Sequence, residues 1–186
     1  MEQHQKKRRE TFRHGDIGGA ARRVALEMLD NVPYEKLSVR AIAEQVGVAH
    51  RAINAHFGDR EGLLNALATT GYDMLADQLS PATISSDFIE TFIRFARQRS
   101  NLYLLMMSRP HATMKDFPEL QTAVHRVITK AMTFYADPDQ QPQENRQAVM
   151  KVQIILHGAL TLRHAGILDV TDEDDFVRDV IRMIDG

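Results

Sequence analysis

Cysteine and tryptophan are both absent from this chain of 186 residues. Without thiols neither a disulfide framework nor a thiolate metal centre can form, and the absence fits a reducing compartment. Long apolar runs are missing too. The most apolar stretch, near Val152–Leu162, is interrupted by Gln153, His157 and Thr161, short of the ~18–20 residues that a spanning helix needs. The N-terminus, Met-Glu-Gln-His-Gln-Lys-Lys-Arg-Arg, has no apolar core of a secretory signal. The expectation is a soluble, cytoplasmic protein with no membrane partner. No Gly-rich phosphate loop, nucleophile elbow or His-Glu-x-x-His pattern occurs, and Ser108 and His111 have no identifiable third partner. No enzyme and no cofactor are expected.

What is present is uneven in charge. Residues 1–60 carry 11 Lys and Arg against 8 Asp and Glu, whereas the remainder carries 12 against 17, leaving a net charge of −2. Lys6, Lys7, Arg8, Arg9 and Arg13 supply much of the basic excess. A basic head on an acidic body suits a nucleic-acid module joined to a module with another task; a solvated basic tail would give the same numbers. Hydrophobic residues make up 44%, enough for a real core in one or two compact units.

The periodicity is helical almost throughout. Ala21, Val24, Ala25, Met28 and Leu29 form one apolar stripe of a first helix, ended before Pro33. Ser38 is a natural N-cap for a short helix Val39–Val46, and Gly47 ends it. A third helix spans about 50–56, broken at Gly58-Asp59. Leu63, Leu64, Leu67, Ala68, Leu75 and Leu79 stripe a fourth, closed at Ser80-Pro81. A fifth, capped by Ser85, Ser86 or Asp87, carries Phe88, Ile89, Phe92, Phe95 and Ala96. Residues 101–116 read as shorter pieces broken at Pro110, and Pro118 suits the first turn of a seventh helix. After the polar loop Asp137–Gln143, a long helix is expected to about Ile167. Thr171 and Asp174 resemble a capping-box start for a last helix to Ile184. Sustained period-2 alternation is absent, as is any internal repeat. The fold class is all-α, with about nine helices.

The segment 37–57 carries the chemistry. Two helices crossing at ~90–120° through a tight turn need a small residue where their backbones approach, and Ala43 supplies it. Gly47 can take a positive φ in the turn. Ile42, Val46, Val48 and Ile53 then point into the junction, leaving Ala49, His50, Arg51, Ala52, Asn54 and Ala55 outward. An exposed helix so presented fits the ~12 Å major groove. An ordinary αα-hairpin would share the spacing. His50 and Arg51 open the second helix and have no apolar role, so base edges or adjacent phosphates are their expected contacts.

Residues 15–67 resemble the N-terminal domain of the TetR family of regulators, whose members read like S-V-R-x-I-A-x-x-A-G-V-S-x-x-x-L-Y-x-H-F-x-S-K-E-x-L-L. The matches are Ser38, Val39, Arg40, Ile42, Ala43, Gly47, Val48, His56, Phe57, Glu61, Leu63 and Leu64. Ile53 replaces the leucine and Arg60 the lysine. Ala49 stands in place of the usual capping serine, and Asn54 in place of a phosphate-contacting tyrosine. The resemblance implies a helix-turn-helix head at residues 1–67 and a ligand-binding and dimerising bundle at 68–186. It implies DNA contacts from Ser38, Ala49, His50, Arg51, Asn54, His56 and Arg60, with Arg60 on a phosphate. Leu156-His157-Gly158 looks like the Trp-His-Gly signature of one family variant with its tryptophan lost.

By the same resemblance, the central bundle encloses a pocket for a small apolar or amphipathic effector, lined by some of Phe92, Phe95, Met106, Met107 and Phe134, with His157 as a polar contact. A core histidine bonded to protein is the competing reading of His157. The last two long helices are apolar on more than one side. A second copy is the implied partner, with Val152, Leu156, Leu160, Val177 and Ile181 at the homodimer interface. Two heads would then address two half-sites of a near-palindromic double-stranded operator, as expected of a repressor. No metal site is expected: His157 and His164 share a face but lack further ligands, and the acids Asp172–Asp175 complement a helix dipole without an ion. The rival functions are a relative that acts chiefly through another protein, and an α-helical enzyme working in the central cavity.

Overall fold

The computed structural model describes residues 16–170 and 172–186, apart from the side chains of residues 111–113. The basic residues Lys6, Lys7, Arg8, Arg9 and Arg13, the helix-start residue Thr171 and the side chain of His111 therefore lie outside the described residues. Those described form nine α-helices and no strand.

The head consists of α1 (Ile17–Leu29), α2 (Val39–Val46) and α3 (His50–Phe57). Asp16 caps α1 by accepting from the Gly19 amide at 2.8 Å, and Ser38 caps α2 by accepting from the Ala41 amide at 3.3 Å. Gly47 ends α2 with φ +80°, a left-handed turn that a side chain would strain. Ala21, Ala25, Leu29, Ile42, Ala43 and Ile53 are buried where the three helices meet. A 3₁₀ turn, Tyr34–Lys36, links α1 to α2.

The helix α4 (Arg60–Leu79) begins under an Asp59 cap, whose carboxylate accepts from the Gly62 amide at 2.8 Å. It is buried on several sides, from Leu63 through Leu79, because the head packs on its start and the remaining bundle on its length. The boundary expected between residues 67 and 68 thus falls inside one continuous helix. Around α4 lie α5 (Ser85–Gln98), α6 (Ser100–Met107), α7 (Pro118–Tyr135), α8 (Pro142–His164) and α9 (Glu173–Asp185). Gly71 lets α6 approach: a Cβ there would lie 2.7 Å from the Met106 sulfur and 3.1 Å from Leu102 Cδ1.

Three expectations about helix ends need correction. None of Ser85, Ser86 or Asp87 caps α5; Ile84 is the N-cap residue, and the Ser85 hydroxyl donates instead to Asp185 at 2.8 Å. The long helix α8 starts at Pro142 under a Gln141–Glu144 capping box and stops at His164. Gly166 then takes φ +69°, and the Ile167 amide reaches back to the Leu162 carbonyl at 3.0 Å, a glycine-type helix stop. Asp172 caps α9, accepting from the amides of Asp174 and Asp175.

Candidate functional site

In the head, Ile53 is fully buried beneath α3 and Ile42 beneath α2, so the remaining faces of α3 turn outward. Ala49, His50, Arg51, Ala55 and His56 are exposed, and Asn54 is half-buried. Ala49 occupies the N-cap position but makes no side-chain cap, because its methyl group cannot accept a hydrogen bond. No side chain therefore caps the first turn of α3, where the Ala52 amide donates to the Ala49 carbonyl at 2.8 Å and partial positive charge favours phosphate. Arg51 forms no ion pair or hydrogen bond with the described residues, so its guanidinium is uncommitted.

Arg40, in the first turn of α2, is also exposed and without such a partner. Sequence reasoning noted it only as a motif match and did not place it among the contacts. A signal was available: a cation in a helix's first turn opposes the dipole, so its position has no helix-stabilising reason.

The expected phosphate role of Arg60 does not match its geometry. Its Nη2 donates to the carbonyls of Tyr34 at 2.8 Å and Glu35 at 3.0 Å, its Nε faces the Leu37 carbonyl at 3.5 Å, and its Nη1 lies 3.5 Å from Glu61. The start of α4 sits beside the end of the Tyr34–Lys36 turn, and carbonyls of that turn take the guanidinium donors, the Tyr34 oxygen accepting from the Leu37 amide as well. Arg60 acts as a clamp within the head. His56 packs tightly as well: its ring lies over Gly18 of α1, where a Cβ would come within 1.9 Å of Nε2, and edge-on to Phe57 with centroids 4.6 Å apart.

The head is tied to the bundle by polar contacts. Arg99 pairs with Asp30 at 2.6 Å, the Asn101 amide donates to the Leu29 carbonyl at 2.9 Å, and Arg109 pairs with Glu61 at 2.7 Å. All three partners sit at the end of α1 or the start of α4.

The central aromatic cluster leaves little space. A cavity of about 50 Å³ lies among Tyr72, Phe92, Tyr103, Met107, Leu156 and His157, far below the ~300 Å³ of ordinary small-molecule pockets. Of the expected lining, Phe92, Met107 and His157 are present, but Phe95, Met106 and Phe134 are not. Phe95 and Met106 are wholly buried in core packing, and Phe134 stacks beside Phe88 and beneath Lys130. His157 shares a 3.1 Å hydrogen bond between its Nδ1 and the Tyr103 hydroxyl, whose direction follows the imidazole tautomer. The competing protein-bonded histidine is therefore what this conformation contains. Burial holds the Tyr72 phenol up at about 12 and pushes the Tyr103 phenol higher still.

The dimer positions also divide. Val152, Leu156 and Leu160 are buried within their own bundle, because the strongest apolar stripe of α8 packs against its own core. Val177 and Ile181 are half-buried beside α5. The outer face of α8 instead presents Met150, Ile154 and Leu162, with Met183 exposed on α9; Ile154 is 63% exposed. Among the described residues no three His, Asp or Glu side chains are grouped to hold a metal ion, and no helix is long and apolar enough to cross a membrane.

Comparison with known proteins agrees with this architecture. Residues 22–67 match bacterial regulatory proteins of the tetR family, and residues 86–184 match the Tetracyclin repressor-like C-terminal domain. No curated protein matches the chain. Among solved structures, a protein with unknown function from Rhodococcus sp. RHA1 superposes with a TM-score of 0.69 at 24% identity, covering 96% of this chain and 98% of that one. A TetR transcriptional regulator from Legionella pneumophila superposes with a TM-score of 0.54 at 16% identity, covering 89% and 94%. The TetR family transcriptional regulator PfmR from Thermus thermophilus gives 0.50 at 14%, covering 89% and 97%. The nine-helix fold, the outward-facing helix-turn-helix and the two family matches lead to one conclusion: this chain belongs to the TetR family of transcriptional regulators.

Proposed function

We propose that the protein is an effector-responsive repressor that binds a near-palindromic double-stranded operator as a homodimer in the cytoplasm. The observation that carries this reading is α3, held outward by buried Ile53 and led by the uncommitted side chains of His50 and Arg51. Arg51 and His50 reach base edges, Arg40 and the first-turn amides of α3 engage phosphates, and Ser38, Ala49 and Asn54 border the same surface. His56 sets the angle between α3 and α1.

Dimerisation joins α8 and α9 to the same pair in a second copy. The exposed apolar side chains Met150, Ile154, Leu162 and Met183 support that assignment, since each would otherwise leave apolar area in water. Two heads so joined would read half-sites about 34–36 Å apart or multiples of that spacing. An effector that binds better to the conformer with badly spaced heads shifts the population and releases DNA.

Selection from random duplexes, followed by titration at several salt concentrations, tests the proposal. The expected result is a two-fold-related motif whose affinity falls linearly with log salt. Failure to enrich any duplex, with a protein partner captured by the intact dimer, would favour the rival in which the chain acts through another protein.

A further inference from the structure

A second, larger cavity shares Tyr103 with the aromatic one. It has a volume of about 250 Å³ and is bounded by α5, α6 and the end of α8. Leu104, Leu160 and the Tyr103 ring supply an apolar part of its wall; Arg97, Arg163 and His164 supply a charged part, with hydroxyls from Ser100 and Thr161. No Asp or Glu is among its lining residues.

The charge at this wall is incompletely balanced. Arg97 and Arg163 share a single carboxylate, that of Glu173: one oxygen pairs with Arg97 Nη1 and the other lies 2.7 Å from Arg163 Nη2. Two cations thus meet one anion. The Arg163 side chain is 19% exposed, its guanidinium lies 4.4 Å from the centre of the Phe176 ring, and its Nη1 is buried with no hydrogen-bond partner. That nitrogen is sealed from solvent, and so from the cavity; the cation open to the cavity is Arg97, whose side chain is 45% exposed and meets one oxygen of the shared carboxylate.

We infer that this cavity is a binding site for a small aromatic monocarboxylate, held by the Arg97–Arg163 pair with its ring against Tyr103, Leu104 and Leu160. Size supports the class: at roughly 30 Å³ per water-sized volume, the space corresponds to about eight such volumes, which suits a single ring and not a drug-sized molecule. The carboxylate takes the Arg97 donors that Glu173 leaves unused, and Ser100 and Thr161 supply neutral donors beside it.

The site has a route to the head. Ser100, Tyr103 and Leu104 belong to α6, and residues on either side of Ser100 are fastened to the end of α1 through Arg99–Asp30 and Asn101–Leu29. Filling the cavity loads the helix that the head is tied to. This consequence, unlike the binding itself, rests on the regulator reading.

The test is calorimetric titration of the full chain with benzoate, and with benzyl alcohol as the uncharged counterpart. Benzoate should bind once per chain at millimolar concentration, and benzyl alcohol at least about tenfold more weakly. Arg97→Gln, at a half-exposed position, should abolish that preference while leaving the melting temperature close to wild type; Arg163→Lys, which keeps the charge but not the planar fork, should weaken benzoate. Equal affinity for the two probes, no binding of benzoate, or an unchanged preference in Arg97→Gln would overturn the site. Benzoate binding by a chain that binds no duplex would support the site and overturn the regulator reading instead.

Discussion

Arg51 and Arg60 are both basic residues in the DNA-binding head, yet their surroundings assign them different work. Arg51 has no partner among the described residues and stands on the outer face of α3, so Arg51→Ala should leave the fold intact and weaken operator binding by roughly 1–3 kcal/mol. Quantitative footprinting or anisotropy with a selected duplex reads that change; equal affinity would remove Arg51 from the contacts. Arg60 holds three backbone carbonyls, so Arg60→Ala should cost about 1–2 kcal/mol of stability in urea denaturation. A variant with wild-type stability but a flatter salt slope would restore the phosphate role. The tyrosines make a residue-scale prediction of their own. Desolvation favours the neutral phenol of Tyr72, raising it from 10.0 to about 12. The stability it contributes is complete below pH 10 and is lost as pH rises through 12. Tyrosinate absorbance of the wild type against Tyr72→Phe should show one fewer late-titrating group in the variant.

At the scale of elements, α4 and α6 are set by one glycine. Gly71 faces the Met106 sulfur and Leu102 with no room for a methyl group, so Gly71→Ala should drive the helices apart. Overpacking costs ~1–3 kcal/mol, against ~1 kcal/mol gained from helix propensity, and the net should be a loss. Thermal unfolding decides the sign; a stabilised variant would mean that Met106 swings aside freely. Because α6 and the residue before it carry the contacts to Asp30 and Leu29, the same variant should also alter DNA affinity without touching a DNA-facing residue.

For the whole molecule, the two faces of α8 separate folding from assembly. Leu160 is buried within its own bundle, whereas Ile154 stands largely in solvent. Leu160→Asp places an unpaired carboxylate in the core, at a cost of several kcal/mol, and should abolish folding. Ile154→Asp should leave the circular dichroism spectrum and melting of each subunit recognisable while shifting sedimentation towards the monomer. A wild type that is monomeric at micromolar concentration would sink the α8–α9 interface, and an Ile154→Asp variant that stays dimeric would move it elsewhere.

Much of this protein follows from local chemistry. The apolar stripe through Ala21, Ala25 and Leu29, the Ser38 cap, Gly47 at its positive φ and the small–glycine spacing of residues 43–47 each act within a few residues, and the helices of the head were legible from them; the helix-turn-helix reading rested on the family resemblance besides. The exposure of Arg51 was legible too, since it stands two residues from Ile53 and hence on the opposite side of α3. Long-range proximity decided the rest. Whether Arg60 reaches a phosphate or a carbonyl depends on a turn some 25 residues earlier in the chain. Which apolar stripe of α8 is inside, and whether a cluster of aromatics leaves a gap, depends on how helices pack. A periodic pattern shows that a helix has two apolar faces; only the neighbours show which one they cover. The arginine-lined cavity had no local signal at all, because Arg97 and Arg163 meet through Glu173, and nothing in their sequence spacing brings those three residues together.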